Sequence, residues 1–143
     1  MLIGLVVTIY LALPARHNVL VTAAIENHRE PGEGWDLDKP TAPELRAWSI
    51  GVVGKDAPLP DATLVIGAKR VQVLRRDAAL IRLQIGSDEV SYLVQNARGM
   101  APKHDQKDDG DLRASAWRRG KFTVVAVGPA SSAAAWLPVV KTK

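Results

Sequence analysis

Hydrophobic and polar positions along the chain follow first a helical period and then a strand period. Val19, Val21, Ala23, Ala24 and Ile25 fit a helix that runs on to Glu26-Asn27-His28-Arg29, where Pro31-Gly32 stops it. Residues 32–40 (GEGWDLDKP) have the composition of a loop. Thr41-Ala42-Pro43-Glu44 then opens a second helix. Thr41 caps it, Pro43 brings a preset φ to the first turn, and Glu44 stands where a capping box needs its acid. Leu45, Trp48 and Ile50 or Val52 form its expected buried side, Gly54 ends it, and residues 55–60 form a loop carrying Pro58 and Pro60.

From Ala62 the period becomes two. Val71 and Val73 alternate with Arg70 and Gln72, and Arg75-Arg76-Asp77 makes a turn. Ala79, Ile81, Leu83 and Ile85 alternate with Arg82 and Gln84, the cleanest strand pattern of the chain. Gly86-Ser87-Asp88-Glu89 reads as a hairpin loop, with a returning strand over residues 90–95. Gly67, between two short apolar pieces, marks a bend or bulge. The polar stretch 96–111 (NARGMAPKHDQKDDGD) reads as a mobile loop across one end of the sheet. Residues 114–117 and 122–127 make a second hairpin around Arg118, Arg119 and Gly120, flanked by Trp117 and Phe122. The Ala-rich tail 129–140 reads as a short closing helix broken near Pro138. The predicted class is α+β, with an antiparallel meander of about four or five strands packed by helices.

Residues 1–13 (MLIGLVVTIYLAL) carry no charge. A spanning helix needs about 20 apolar residues, more than this run supplies. A signal-peptide core lacks its basic leading region here, and Leu13-Pro14-Ala15 is a poor cleavage site. A buried helix of the domain is a second reading. The third is the tail of a transmembrane helix, completed upstream or by residues 18–25. Apolarity all round the helix suits lipid better than a one-sided core contact, and Arg16 and His17 could reach headgroups. The expectation is a membrane-anchor helix over 1–17, with partitioning into membranes, and an α+β domain over 18–143.

Composition narrows the chemistry. With 143 residues, 47% of them hydrophobic and 5% aromatic, the chain makes about one domain with an aliphatic core. The net charge is +4, but the arginine pairs Arg75-Arg76 and Arg118-Arg119 form no stripe with interleaved aromatics, so nucleic acid is not an expected partner. The absence of Cys removes disulfides, thiolate metal sites and a Cys nucleophile. Residues 105–111 (DQKDDGD) outline a calcium loop, yet Lys107 sits where a ligand oxygen belongs and Ala116 replaces the closing acid. His17, His28 and His104 lack zinc-site spacing. No G-x-S-x-G elbow surrounds any serine, and GVVG before Lys55 closes a helix where a phosphate loop would open one. No catalytic residue, metal, cofactor or small-molecule substrate is expected.

The order of these pieces carries a resemblance. AAIENHRE, then PELRAWSIGVVG, then LVIGAKRVQVLRRDAALIRLQI, VSYLVQN, a polar loop and WRRGKFTVVAVG before a closing helix resemble the extracytoplasmic portion of bacterial transmembrane anti-sigma factors. In that family His28, Trp48, Pro60, Gly67, Trp117, Gly120 and Gly128 would match recurrent positions. Together with Arg118 and Arg119, five of these (His28, Trp48, Gly67, Trp117 and Gly120) are the expected structural or interaction residues. The resemblance implies a non-catalytic, membrane-anchored sensing or interaction domain in the periplasm, tethered by one span of the inner membrane, with membrane lipid and a protein as partners. The family's cytoplasmic sigma-binding segment, with its His and Cys zinc motif, has no counterpart in this sequence. The alternative is a small single-span accessory subunit of a larger membrane complex.

Overall fold

A computed structural model describes residues 16–30, 32–96 and 104–141. Among these residues, seven antiparallel strands form one sheet and three α-helices cover it. Helix α1 is Arg16–Arg29, α2 is Ala42–Val53 and α3 is Ala133–Lys141. The strands are β1 Leu37–Asp38, β2 Val65–Val73, β3 Arg76–Ile85, β4 Asp88–Asn96, β5 His104–Asp109, β6 Leu112–Arg119 and β7 Phe122–Pro129. Their spatial order is β1-β2-β3-β4-β7-β6-β5.

The sheet is buried on both faces, by helices of different origin. Leu20, Val21, Ala24 and Ile25 of α1 pack on Leu80, Leu93, Ala114, Ala116, Val125 and Val127. On the other face α2 supplies Leu45, Val52 and Val53, and α3 supplies Ala133, Trp136 and Val140, against Ile81, Leu83, Tyr92, Val94, Val124 and Ala126. The period of two places Leu80 and Ile81 on opposite sides of the same strand, and both are fully buried. That is why β3, β4 and β7 are apolar almost without interruption.

Local chemistry sets the boundaries. Thr41 and Glu44 make the reciprocal capping box of α2, and Gly54 closes that helix with φ 105°, its N–H donating to the Ile50 carbonyl. The buried line of α2 is Leu45, Ser49, Val52 and Val53, while Ile50 faces out. Helix α3 runs through Pro138, which is exposed, as is Ala134, whose carbonyl loses its partner there. Two glycines are required by close approach. A Cβ on Gly128 would lie 2.7 Å from the ring of the fully buried Trp136, whose indole N–H donates to the Pro129 carbonyl at 2.8 Å. A Cβ on Gly67 would lie 2.5 Å from Trp35.

Three expectations need correction. Among the described residues the sheet has seven strands, not four or five, because β1 and β5 come from segments read as loops. Both are edge strands. An edge strand is held by its ladder on one side, so β5, with the sequence HDQKDD, needs no apolar alternation. The sheet is also not a meander in order: β4 pairs with β7, and β5 and β6 are placed beyond it. Finally, residues 18–25 do not complete a spanning segment. They lie in α1, whose apolar side is sealed against the sheet and whose ends carry Arg16, His17, His28 and Arg29. Among the described residues no helix is long and apolar enough to cross a membrane. The expected anchor run 1–13 lies outside the described residues, as does 97–103 of the expected loop.

Candidate functional site

The densest polar cluster lies where the C-terminal end of α1 meets the sheet. Arg82 is 4% exposed although it interrupts the most regular apolar strand. Its guanidinium donates to the carbonyls of Asn27 at 3.1 Å and His28 at 3.4 Å, the last carbonyls of α1. Such end carbonyls lack the usual partner one turn on, although Asn27 also accepts the N–H of Glu30 at 3.3 Å, and the negative end of the helix dipole lies there, so a cation from β3 is the complementary cap. Trp35 covers the outer side of this guanidinium, whose centre lies 5.7 Å from the ring centroid. The absent side chain of Gly67 lets that ring lie against β2.

His28 shares a 2.7 Å hydrogen bond through Nδ1 with the hydroxyl of Ser91, which is fully buried on β4. This serine–histidine pair sits at the seam between α1 and the sheet. The hydroxyl lies under a helix, and among the described residues no carboxylate is hydrogen-bonded to the imidazole to orient it as a base. Burial first, and then the charges of Arg82 and Arg29, push the imidazole down to about 4; Asp111 opposes them weakly. His28 is therefore neutral at pH 7.

Three acids near this end, Asp108, Asp109 and Asp111, face arginines. Asp108 receives two bonds from Arg113, at 2.8 and 3.2 Å, and is held below the usual carboxylate range by them. Arg29 reaches the Asp109 carbonyl at 3.1 Å and stands 3.8 and 3.9 Å from the carboxylates of Asp109 and Asp111. The calcium outline of 105–111 is thus an edge strand and a turn stitched to arginines. His17 and His28 sit at opposite ends of α1, about 16 Å apart at 1.5 Å per residue. Among the described residues no three His, Cys, Asp or Glu side chains are grouped to hold a metal.

The residues expected to matter fall in separate places. His28 and Gly67 belong to the seam just described. Trp48 projects from α2 and donates to Asp36 at 3.2 Å; the same carboxylate receives the N–H of Arg70 and so extends the β1 edge. Trp117 is buried on the α2–α3 face, edge-on to Tyr92 at 6.4 Å, with the Lys141 ammonium 5.4 Å from its centroid. Arg118, Arg119 and Gly120 form the exposed β6–β7 tip. Arg82, Ser91 and Trp35 were not among the expected residues. The available signal was Arg82 itself, a charge inside a strand whose other polar positions were expected to face water.

Both ends of the sheet are built from hairpin tips. Three hairpins turn on Gly86-Ser87, Gly110-Asp111 and Gly120-Lys121, with each glycine near φ +60°. Glycine at the first central position is what such two-residue turns demand. The β2–β3 hairpin breaks this rule: Leu74 (φ 55°) and Arg75 (φ 62°) both occupy the left-handed region. That region costs a side-chain-bearing residue roughly 1–2 kcal/mol. Leu74 is moreover 51% exposed. Beside the Gly120 tip lies a groove of about 390 Å³ lined by Asp56, Pro58, Arg119, Gly120, Lys121 and Phe122. Comparison with family models, curated proteins and solved structures finds no match to this chain.

Two outcomes are expected. Between pH 6.5 and about 4 the unfolded chain takes up a proton at His28 that the folded chain refuses. Stability is thus complete above pH 6.5 and falls on acidification, by about 2 kcal/mol once partial exposure is discounted. Thermal melts over this range should show a shallower slope for His28→Gln. In the second, replacing Leu74-Arg75 by Asn-Gly supplies the residues the turn favours. Urea denaturation should then show a gain of about 1–2 kcal/mol.

Proposed function

We propose that the chain is a non-catalytic interaction domain of the kind borne outside the bacterial inner membrane by transmembrane anti-sigma factors, and that it engages a protein along the open edge of its sheet. One observation supports this above the others: among the described residues β5 is the last strand on its side and pairs with β6 alone, and Lys107, Asp108 and Asp109 are exposed along it. An unpaired strand edge offers a row of main-chain donors and acceptors to an incoming strand. The mixed charges of β5 resist indiscriminate pairing and select a partner of complementary pattern. The opposite edge is less open, since β1 and the Asp36 carboxylate occupy part of the outer side of β2. In this reading His28 and Ser91, bonded to each other at the end of α1, serve the helix–sheet seam. The extracytoplasmic placement follows from the resemblance in sequence order.

The test is site-specific photo-crosslinking in the native cell, with the full chain carrying the probe at Lys107 or, as a control, at exposed Ser131. The expected result is a discrete protein adduct from position 107 and none from position 131. Adducts indistinguishable between the two positions would contradict edge docking. Substrate turnover by the purified chain that His28→Ala or Ser91→Ala abolishes would contradict the non-catalytic reading.

A further inference from the structure

The molecule is electrically lopsided along its strands. The pairings Val73↔Arg76, Asn96↔Phe122 and Arg119↔Phe122 place the β2–β3 tip, the end of β4 and the β6–β7 tip at one end of the sheet. A hydrogen bond from Arg76 to the Asn96 carbonyl ties these strands together there. This end presents Arg75, Arg118, Arg119 and Lys121, all exposed. No ion pair among the described residues engages any of the four. Asp56, in the adjoining groove, is the acid nearest the β6–β7 tip in that lining. The other end carries Asp88 and Glu89 on the β3–β4 turn, and Asp109 and Asp111, which face Arg29, on the β5–β6 turn.

Helix α1 fixes which end the chain enters. Its last residues bond to Arg82, Ser91 and Asp109, at the acidic end. Fourteen helical residues span about 21 Å. The run from Ser91 to Asn96 along β4 is about 17 Å. Arg16 therefore lies toward the basic end. That end also holds Leu74, a large apolar side chain half-exposed at the tip of a turn whose backbone favours neither Leu nor Arg. An apolar tip flanked by cations matches an interface with negative headgroups above and hydrocarbon below. It matches a soluble polyanion less well, because that partner has no use for Leu74.

The geometry points to a peripheral docking surface for anionic lipid: Leu74 dips below the headgroups while Arg75, Arg118, Arg119 and Lys121 bind phosphates. In this arrangement the acidic end and the base of β5 point away from the membrane. The inference is independent of edge docking, since it uses neither β5 nor a protein partner.

Vesicle sedimentation of the full chain tests it, with phosphatidylcholine vesicles either pure or containing about a third phosphatidylglycerol. The expected result is much tighter binding to the anionic vesicles, weakened by salt. Each cation at such a surface contributes roughly fivefold, so Arg75→Asn, Arg119→Gln and Lys121→Gln together should lower that binding about a hundredfold. Asn is chosen at position 75 because it tolerates the left-handed backbone. The acidic-end variant Asp88→Asn/Glu89→Gln should bind as the parent does. Leu74→Ser should weaken vesicle binding and leave binding to soluble polyglutamate unchanged. Equal binding of the parent to both vesicle types would overturn the proposal, as would a triple variant that still prefers the anionic ones. A Leu74→Ser chain that binds anionic vesicles as the parent does would assign the cations to a soluble acidic partner and overturn it equally.

Discussion

The structure depends on one constraint: a sheet apolar on both sides must be covered on both sides. Strands β3, β4 and β7 expose hydrophobic side chains to each face, so neither face tolerates water. One face has two helices, contributed by the middle and the end of the chain. The other is covered, among the described residues, by α1 alone. Leu20, Val21, Ala24 and Ile25 make that contact, and burying each of the three larger ones is worth roughly 1.5–3 kcal/mol. Helix α1 is therefore part of the core and not a lead-in to it.

The polar seam follows from this arrangement. A helix laid on a sheet brings its last carbonyls down onto strands, where water cannot satisfy them. Arg82 satisfies two of them, and His28 engages Ser91 beneath the same helix end. Holding the imidazole neutral is a consequence, since two guanidiniums and the helix–sheet contact leave no room for a third positive charge. Trp35 seals the outside of the seam by lying on Gly67. The interior of the molecule thus uses its ionisable groups for closure, and leaves the two ends of the sheet to differ in charge.

Much of this was legible where the signal is local. The capping box of Thr41 and Glu44 and the Gly54 stop are short-range chemistry, and the sequence expectation matches them. The alternation in β3 and the hairpin tip at Gly120 are equally local. What escaped has a common cause. Strands β1 and β5 are defined by pairing with distant residues and not by their own period. The meaning of Gly67 depends on a tryptophan 32 positions earlier, and that of Gly128 on one eight positions later. Arg82 looked like the solvent side of a strand because the sequence does not announce that α1 covers that side. Trp117, Arg118 and Arg119 were legible as one stretch, yet Trp117 is buried in the core while both arginines stand at the exposed tip, where the sheet runs out.

The most direct measurement of the central claim is native-state hydrogen exchange along α1. If α1 is core, the amides of Ala24 and Ile25 should exchange only through global unfolding, with the same protection as those of Leu80, Leu93 and Val125 in the sheet. Exchange of the α1 amides at a much lower free energy, while the sheet stays protected, would mean that the helix is an appendage, and would contradict the account.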